Sequence, residues 1–212
     1  ISVLYLLFIK NKIINKYKNR FTIGYVHTPY TNKAVIDWVK NLDTNINIVC
    51  TATGVKNLHH EALKYDISVY FESNGHGTIL INNKELNNDK NIKKLNIINN
   101  LVVGDGISGF FCILYFLKQL NTSYKEWFNL IKKNNSILYK KNITDKSIYK
   151  TNNVGDRLIE PEETQKKLDE LMKKYNCYTF IRPSGTENVI RIYIESNENL
   201  NDIAKEIDNY LL

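Results

Sequence analysis

Cysteine is scarce in this chain of 212 residues, and the three present, Cys50, Cys112 and Cys177, lie far apart. An odd number with no CxxC pair excludes a disulfide framework and a cysteine-built zinc site. It agrees with a reducing compartment, and the cytoplasm is the expectation. Long apolar runs are lacking as well. The stretches at 1–9 and 110–117 fall far short of the roughly 20 residues that a bilayer demands, so no membrane span is expected. The first residues carry neither an initiator Met nor a charged lead-in, so they do not read as a signal peptide. They read as the inside of a helix, and the chain as a piece of a longer protein. There is no Ser/His/Asp combination to propose as a triad and no Asp-x-Asp-x-Asp cluster that could hold Mg²⁺. His59 and His60 are adjacent and face different directions on a helix, which excludes a zinc pair.

Arginine is the most telling shortage. Of 29 basic residues only Arg20, Arg157, Arg182 and Arg191 are arginine, and the last two fall within ten residues of each other. The net charge is +7, but its lysines are scattered among asparagines with no dense stripe. That pattern is a solvated surface, not a nucleic-acid footprint. A chain that covers itself with Lys yet places two arginines together has a use for bidentate geometry.

Those two arginines bracket a loop. Residues 178–181 are aromatic and β-branched, and Ile190, Ile192 and Ile194 alternate with Arg191, Tyr193 and Glu195, the period of a half-buried strand. Between them, Arg182 offers a planar fork of donors that fits phosphate oxygens in pairs. Ser184 and Thr186 offer hydroxyls. Gly185 lets successive backbone N–H groups converge on one anion, and Pro183 stiffens the entry.

Taken in order, the chain alternates helix and strand. A helix is expected over 2–18, strands over 21–26, 46–50 and 67–71, a short strand over 78–81, a helix capped at Thr31 or Asn32 and running through Lys40, and another over 55–64. This is an α/β layer with a largely parallel sheet. The Asn/Lys-rich tract from 82 to 100 reads as a solvated, mobile loop. Asp105 caps an apolar helix to Leu120, and Ser123 opens another to Lys132. Residues 137–139 and 143–149 read as strands or an extended linker. A helix over 162–175 and a last one with Leu200, Ile203, Ala204, Ile207, Leu211 and Leu212 along one stripe complete a small α+β part.

Two further stretches sit at predicted strand ends, where ligands bind in α/β sheets. In FESNGHGT (71–78), Glu72 can accept from two hydroxyls, Asn74 can donate and accept, Gly75 and Gly77 permit close backbone approach, and His76 could donate. In TGVKNLHH (53–60), Lys56 occupies a first helical turn, where a cation opposes the macrodipole and a bound anion would offset the cost. GDGISG (104–109) fits the dinucleotide pattern GxGxxG, but its preceding strand would be very short and no acidic strand end follows about 20 residues on. A glycine-lined helix start is the better reading.

Together TGVKNLHH, FESNGHGT and RPSGTENVIR (182–191), supported by HTPYTN (27–32) and GDGISG, resemble the C-terminal half of phosphoacetylglucosamine mutases of the α-D-phosphohexomutase superfamily. The resemblance runs over nearly the whole chain. It implies the superfamily's third domain, an α/β sugar-binding domain, followed by its fourth, a small α+β phosphate-binding domain. We place these at 1–133 and 148–212, with a linker over 134–147. By motif, Glu72 and Asn74 would bind sugar hydroxyls. Arg182, Ser184, Gly185, Thr186 and Arg191 would bind the phosphate not being transferred. Lys56 would lie near the reacting end, with His59 and His76 as weaker candidates. The resemblance further implies interconversion of N-acetylglucosamine 6-phosphate and 1-phosphate, for UDP-N-acetylglucosamine synthesis, through a phosphoserine and a bisphosphate. The phosphoserine and the Mg²⁺ loop belong to the first two domains, which would be partners of this chain, and neither motif occurs here. A non-catalytic sugar-phosphate binding module is the alternative.

Overall fold

A computed structural model describes residues 1–18, 20–99 and 105–211. They form two units, Ile1–Lys132 and Lys133–Leu212.

The first unit begins with α1 (Ser2–Ile9), which runs through a π-helical turn, Lys10–Ile14, into α2 (Asn15–Tyr17) and stops at Lys18, whose φ of 45° is left-handed. The helix carries apolar side chains almost all round and buries Leu4, Tyr5, Leu6, Phe8 and Ile9, as such a helix must in water. Strands β1 (Ile23–His27), β2 (Ile46–Cys50), β3 (Ile67–Phe71) and β4 (Gly77–Ile81) make one sheet in the order β2-β1-β3-β4. β1 is parallel to β2 and β3, and β4 returns antiparallel to β3. Helix α3 (Lys33–Leu42) starts at Asn32, whose side chain accepts the Ala34 N–H at 3.2 Å. Helix α4 (Val55–Ala62) starts at Gly54, where φ of 117° favours glycine. Both connect parallel strands, so the turns after β1, β2 and β3 share the carboxyl edge of the sheet.

The Asn/Lys tract is not a loop. A 3₁₀ turn, Lys84–Asn88, leads into α5 (Lys90–Ile98). Asp89 caps that helix by accepting the Asn91 and Ile92 N–H groups, and it also takes Tyr17 Oη–H at 2.9 Å and an ion pair from Lys16. Ile92 and Leu95 are fully buried in the core, and Leu86 nearly so. Three apolar anchors at turn and helix spacing decided the structure against a polar average. Asp105 caps α6 (Gly106–Leu120) through the Ser108 N–H at 2.7 Å, and Ser123 with Glu126 forms a capping box for α7 (Tyr124–Asn129). The latter ends at Asn129, short of the expected Lys132. α6 buries Cys112 and Phe116 and leaves Ile107, Phe110, Phe111 and Leu114 exposed on another stripe.

The second unit contains β5 (Asn135–Asn142), β6 (Lys150–Thr151), β7 (Leu158–Glu160), α8 (Glu162–Lys174), β8 (Tyr178–Pro183), β9 (Val189–Ser196) and α9 (Leu200–Asp208). β5 pairs with β9 along its whole length, from Asn135 with Ser196 to Asn142 with Val189. Most of the segment expected as a linker, 134–147, is therefore an edge strand of this unit's sheet, ordered β5-β9-β8. Its alternation places Ile137 and Tyr139 against the core that Leu168, Leu171, Ile181, Ile192, Ile203 and Ile207 build. The other face of β9 is covered as well. Tyr193 meets the Phe180 ring at 5.4 Å, and Glu195 accepts from Asn134 at 2.7 Å and Tyr193 at 3.0 Å. So β9 is buried on both faces, not half-buried as its alternation implied.

Candidate functional site

In the first unit, the turn 72–76 between β3 and β4 is set by its own backbone. The Glu72 N–H donates to His76 O at 2.7 Å and the Gly75 N–H to Glu72 O at 2.9 Å. Asn74 Oδ1 accepts the His76 N–H at 2.9 Å, an Asx turn. Gly77 is forced, because a Cβ there would stand 2.0 Å from Tyr70 O. Glu72 Oε1 accepts the Gly54 N–H at 2.9 Å, which ties this turn to the start of α4. The structure thus brings Glu72 and the TGVK turn together. Its second carboxylate oxygen and the Asn74 amide nitrogen leave polar groups at the rim, beside the exposed His76.

Lys56 is exposed in the first turn of α4, as expected. It lines a hollow of about 400 Å³ with Thr51, Ala52, Asn57, His60, Glu61 and Lys64. His59 points elsewhere. Its Nδ1 is 3.0 Å from Tyr70 Oη, and the two rings meet edge-on at 5.8 Å. His59 is therefore held by the neighbouring strand, while His60 faces the hollow.

In the second unit, strand register does what the sequence could not announce. Arg182 on β8 stands directly opposite Arg191 on β9, and Arg191 directly opposite Lys140 on β5. Directly paired residues share a face, so three cationic side chains run in a row across the sheet. Like charges in such positions repel. Glu187, in the turn between β8 and β9, answers part of this at 2.7 Å from Lys140 and 3.8 Å from Arg191. The Lys140 hydrogen bond, then its charge and that of Arg191, hold the Glu187 carboxyl below its ordinary range. Arg191 Nε is buried without a partner among the described residues.

The turn itself is pinned from within. The Ser184 N–H donates to Val189 O at 2.9 Å, and buried Ser184 Oγ accepts the Glu187 N–H at 3.4 Å. Gly185 and Thr186 are exposed, and their N–H groups have no partner among the described residues. Buried Gly155, at φ of 85°, packs on Arg182, whose guanidinium carbon would be 3.9 Å from a Cβ there. The other two arginines are occupied elsewhere, Arg157 by a two-point pair with Asp169 at 2.9 and 2.6 Å and Arg20 by Glu85 at 2.6 Å. Of the GxGxxG segment, Gly104 and the apolar residues before it lie outside the described residues.

Two loops of this kind on these two folds can be compared with known proteins. A family profile described as phosphoacetylglucosamine mutase AMG1, domain III, matches residues 1–122. The chain belongs to the phosphoacetylglucosamine mutase family. A second profile, the C-terminal domain of phosphoglucomutase/phosphomannomutase, matches residues 151–209. The phosphoacetylglucosamine mutase of Candida albicans is 36% identical over 98% of this chain and 41% of its own length. The human phosphoacetylglucosamine mutase is 32% identical over 87% of this chain and 37% of its own length. Among solved structures, N-acetylglucosamine-phosphate mutase in a product complex matches with a TM-score of 0.88 at 33% identity, over 100% of this chain and 43% of its own. The Aspergillus fumigatus N-acetylphosphoglucosamine mutase in complex with GlcNAc-6P and magnesium matches with a TM-score of 0.89 at 30% identity, over 99% of this chain and 45% of its own. The chain thus spans about two fifths of these family members.

The structure brings Lys140, Lys146 and Asn188 to this loop, and the sequence did not single them out. Asn188 lay inside a quoted motif and could have been examined. Lys140 and Lys146 stand among many surface lysines, and only strand register and tertiary contacts single them out.

Proposed function

We propose that this chain is the sugar- and phosphate-binding C-terminal part of an enzyme that interconverts N-acetylglucosamine 6-phosphate and N-acetylglucosamine 1-phosphate, a step toward UDP-N-acetylglucosamine. The observation that carries the proposal is the in-register row of Lys140, Arg191 and Arg182 beside a turn with open N–H groups. An arrangement that sets like charges opposite one another is stabilised by a bound dianion. Arginine forks and backbone N–H groups read phosphate oxygens and nothing of the sugar, so the clamp tolerates either phosphate position. Sugar identity then falls to Glu72 and Asn74, with His76 at the same rim. Lys56 and its hollow offer positive charge near the reacting end, and His59 supports the strand through Tyr70.

The phosphoryl-transferring serine belongs to the part of the family fold that precedes this chain. So does the magnesium, which as Lewis acid would stabilise the transferring phosphoryl group. Among the described residues no group of three or more His, Cys, Asp or Glu side chains could hold a metal. The residues described here do not fit the ion. Among the described residues no helix is long and apolar enough to cross a membrane. A cytoplasmic location follows the family reading.

An NMR titration of the chain with N-acetylglucosamine 6-phosphate tests the proposal, with glucose 6-phosphate and NAD as controls. Shifts at residues 72–76 and 182–191 for the acetylated sugar, lost from the second set in Arg182→Ala, are the expected outcome. Shifts confined to 105–109 with NAD would overturn it.

A further inference from the structure

Lys146 opens the 3₁₀ turn Lys146–Ile148, which Asp145 caps by accepting the Ser147 N–H at 2.8 Å. Its Nζ donates to two backbone carbonyls, Ser184 O at 2.9 Å and Glu187 O at 3.0 Å. These are the two ends of the turn 184–187. An ammonium has three donors and no acceptor, so one side chain can hold both ends at once. Asn188 fastens the same turn to the segment before Lys146, donating from Nδ2 to Ile143 O and Thr144 O, both at 3.0 Å.

The consequence is directional. In a planar trans peptide unit the C=O and the N–H point in opposite directions. Drawing Ser184 C=O toward Lys146 turns the Gly185 N–H the other way. Drawing Glu187 C=O toward Lys146 does the same to the Asn188 N–H. Neither N–H has a partner among the described residues. The carbonyl oxygens, which would repel an anion, are gathered on the Lys146 side, and donors are left on the opposite side.

We propose that Lys146 is a positioning residue for the anion loop: it orients the Gly185 and Asn188 N–H groups into a nest for a phosphate dianion without touching the phosphate. This rests on reading the loop as a phosphate clamp. The role differs from that of Lys140, whose charge is answered by Glu187 and which acts through the cationic row. It also accounts for a lysine at 146 in terms that net charge does not, since its donors are spent on carbonyls.

The test is an amide-detected NMR titration of the 212-residue chain with inorganic phosphate at 0.1 M and 1 M salt. Wild type is compared with Lys146→Met, Lys146→Gln and Lys146→Arg, and Arg182→Ala serves as the control for the clamp itself. Lys146→Met is expected to shift the Gly185 and Asn188 amides before any ligand is added. It should weaken phosphate binding about tenfold, the scale of hydrogen bonds to a charged group. Lys146→Arg, which keeps several donors, should recover most of the affinity. The deficit should persist at 1 M salt, where screening acts within about 3 Å. Should Lys146→Met fail to fold, Lys146→Gln, which can hold one carbonyl but not both, is expected to show an intermediate loss. Wild-type affinity in the folded Met or Gln variant would overturn the inference, and so would a deficit that vanishes at 1 M salt. A wild-type chain that binds no phosphate, like Arg182→Ala, would instead bring down the clamp reading, and this inference with it.

Discussion

The two loops of this chain are built on opposite plans. In the first unit, the turn 72–76 satisfies itself: Glu72, Asn74 and the backbone are hydrogen-bonded to one another and to Gly54. What remains for a ligand is a rim of leftover donors and acceptors, which suits neutral hydroxyls. In the second unit, the turn 184–187 is pinned by Ser184 and by Lys146 but leaves the Gly185 and Thr186 N–H groups open among the described residues, and the facing strands set Lys140, Arg191 and Arg182 in a row. That row sets like charges directly opposite one another, with Glu187 beside Lys140 and Arg191. The comparison teaches that, on the function proposed above, a loop reading shape can be finished before its ligand arrives, whereas a loop reading charge holds repulsion that the ligand would relieve.

Breaking the first plan gives the largest effect. Gly77→Val forces a Cβ toward Tyr70 O and should destabilise the first unit by about 3 kcal/mol, the upper range for overpacking. A two-transition thermal melt would show it, with the second unit's transition unmoved. Glu72→Ala leaves the Gly54 N–H without its carboxylate partner. The expected loss is about 1.5 kcal/mol, with the shifts at 72–76 on sugar titration abolished and those at 182–191 retained. Both measurements separate a loop that satisfies its own polar groups from one that leaves N–H groups open.

The second plan predicts a gain. Arg191→Met removes the middle of the cationic row and should stabilise the phosphate-free second unit by about 0.5 kcal/mol. The same variant should lose most of the stabilisation that added phosphate confers. Loss of stability in both states would mean the row is not repulsive. The smallest effect concerns pH. The Lys140 hydrogen bond lowers the Glu187 carboxyl from its ordinary 4.5. Hydrogen bonds from Lys174, Tyr210 and Tyr175 lower Glu206 from 4.5 to about 2. A lowered folded value stabilises fully above the unfolded one and is lost as pH falls through the folded one. Denaturant midpoints of the second unit should therefore decline between pH 4.5 and 2, and Glu206→Gln should flatten part of that slope.

Much of the scaffold was readable in advance. Strands at 46–50 and 67–71 match β2 and β3 residue for residue, and the caps at Asn32, Asp105 and Ser123 hold as expected. These features depend on neighbours in sequence: alternation, β-branching, a hydroxyl or carboxylate before a helix. The failures share a different cause. Helix α5 was hidden because Leu86, Ile92 and Leu95 are few among asparagines and lysines. Burial of three side chains outweighed the composition around them. β5 was foreseen only in part, as a strand or extended linker at 137–139, because SILYKKN is polar for an inner strand, and it is an edge strand whose partner lies more than 40 residues away.

The site divides along the same line. The types of group at 72–78 and 182–191, and so the hydrogen-bonding and cationic chemistry they offer, were set by the sequence itself, because motif residues sit side by side in the chain. Which lysines join them was decided only by the tertiary structure. Lys140 enters through the register of β5 with β9, and Lys146 reaches across to Ser184 and Glu187. A lysine's charge is a property of the residue, but its use depends on which carbonyl or carboxylate the fold brings within about 3 Å.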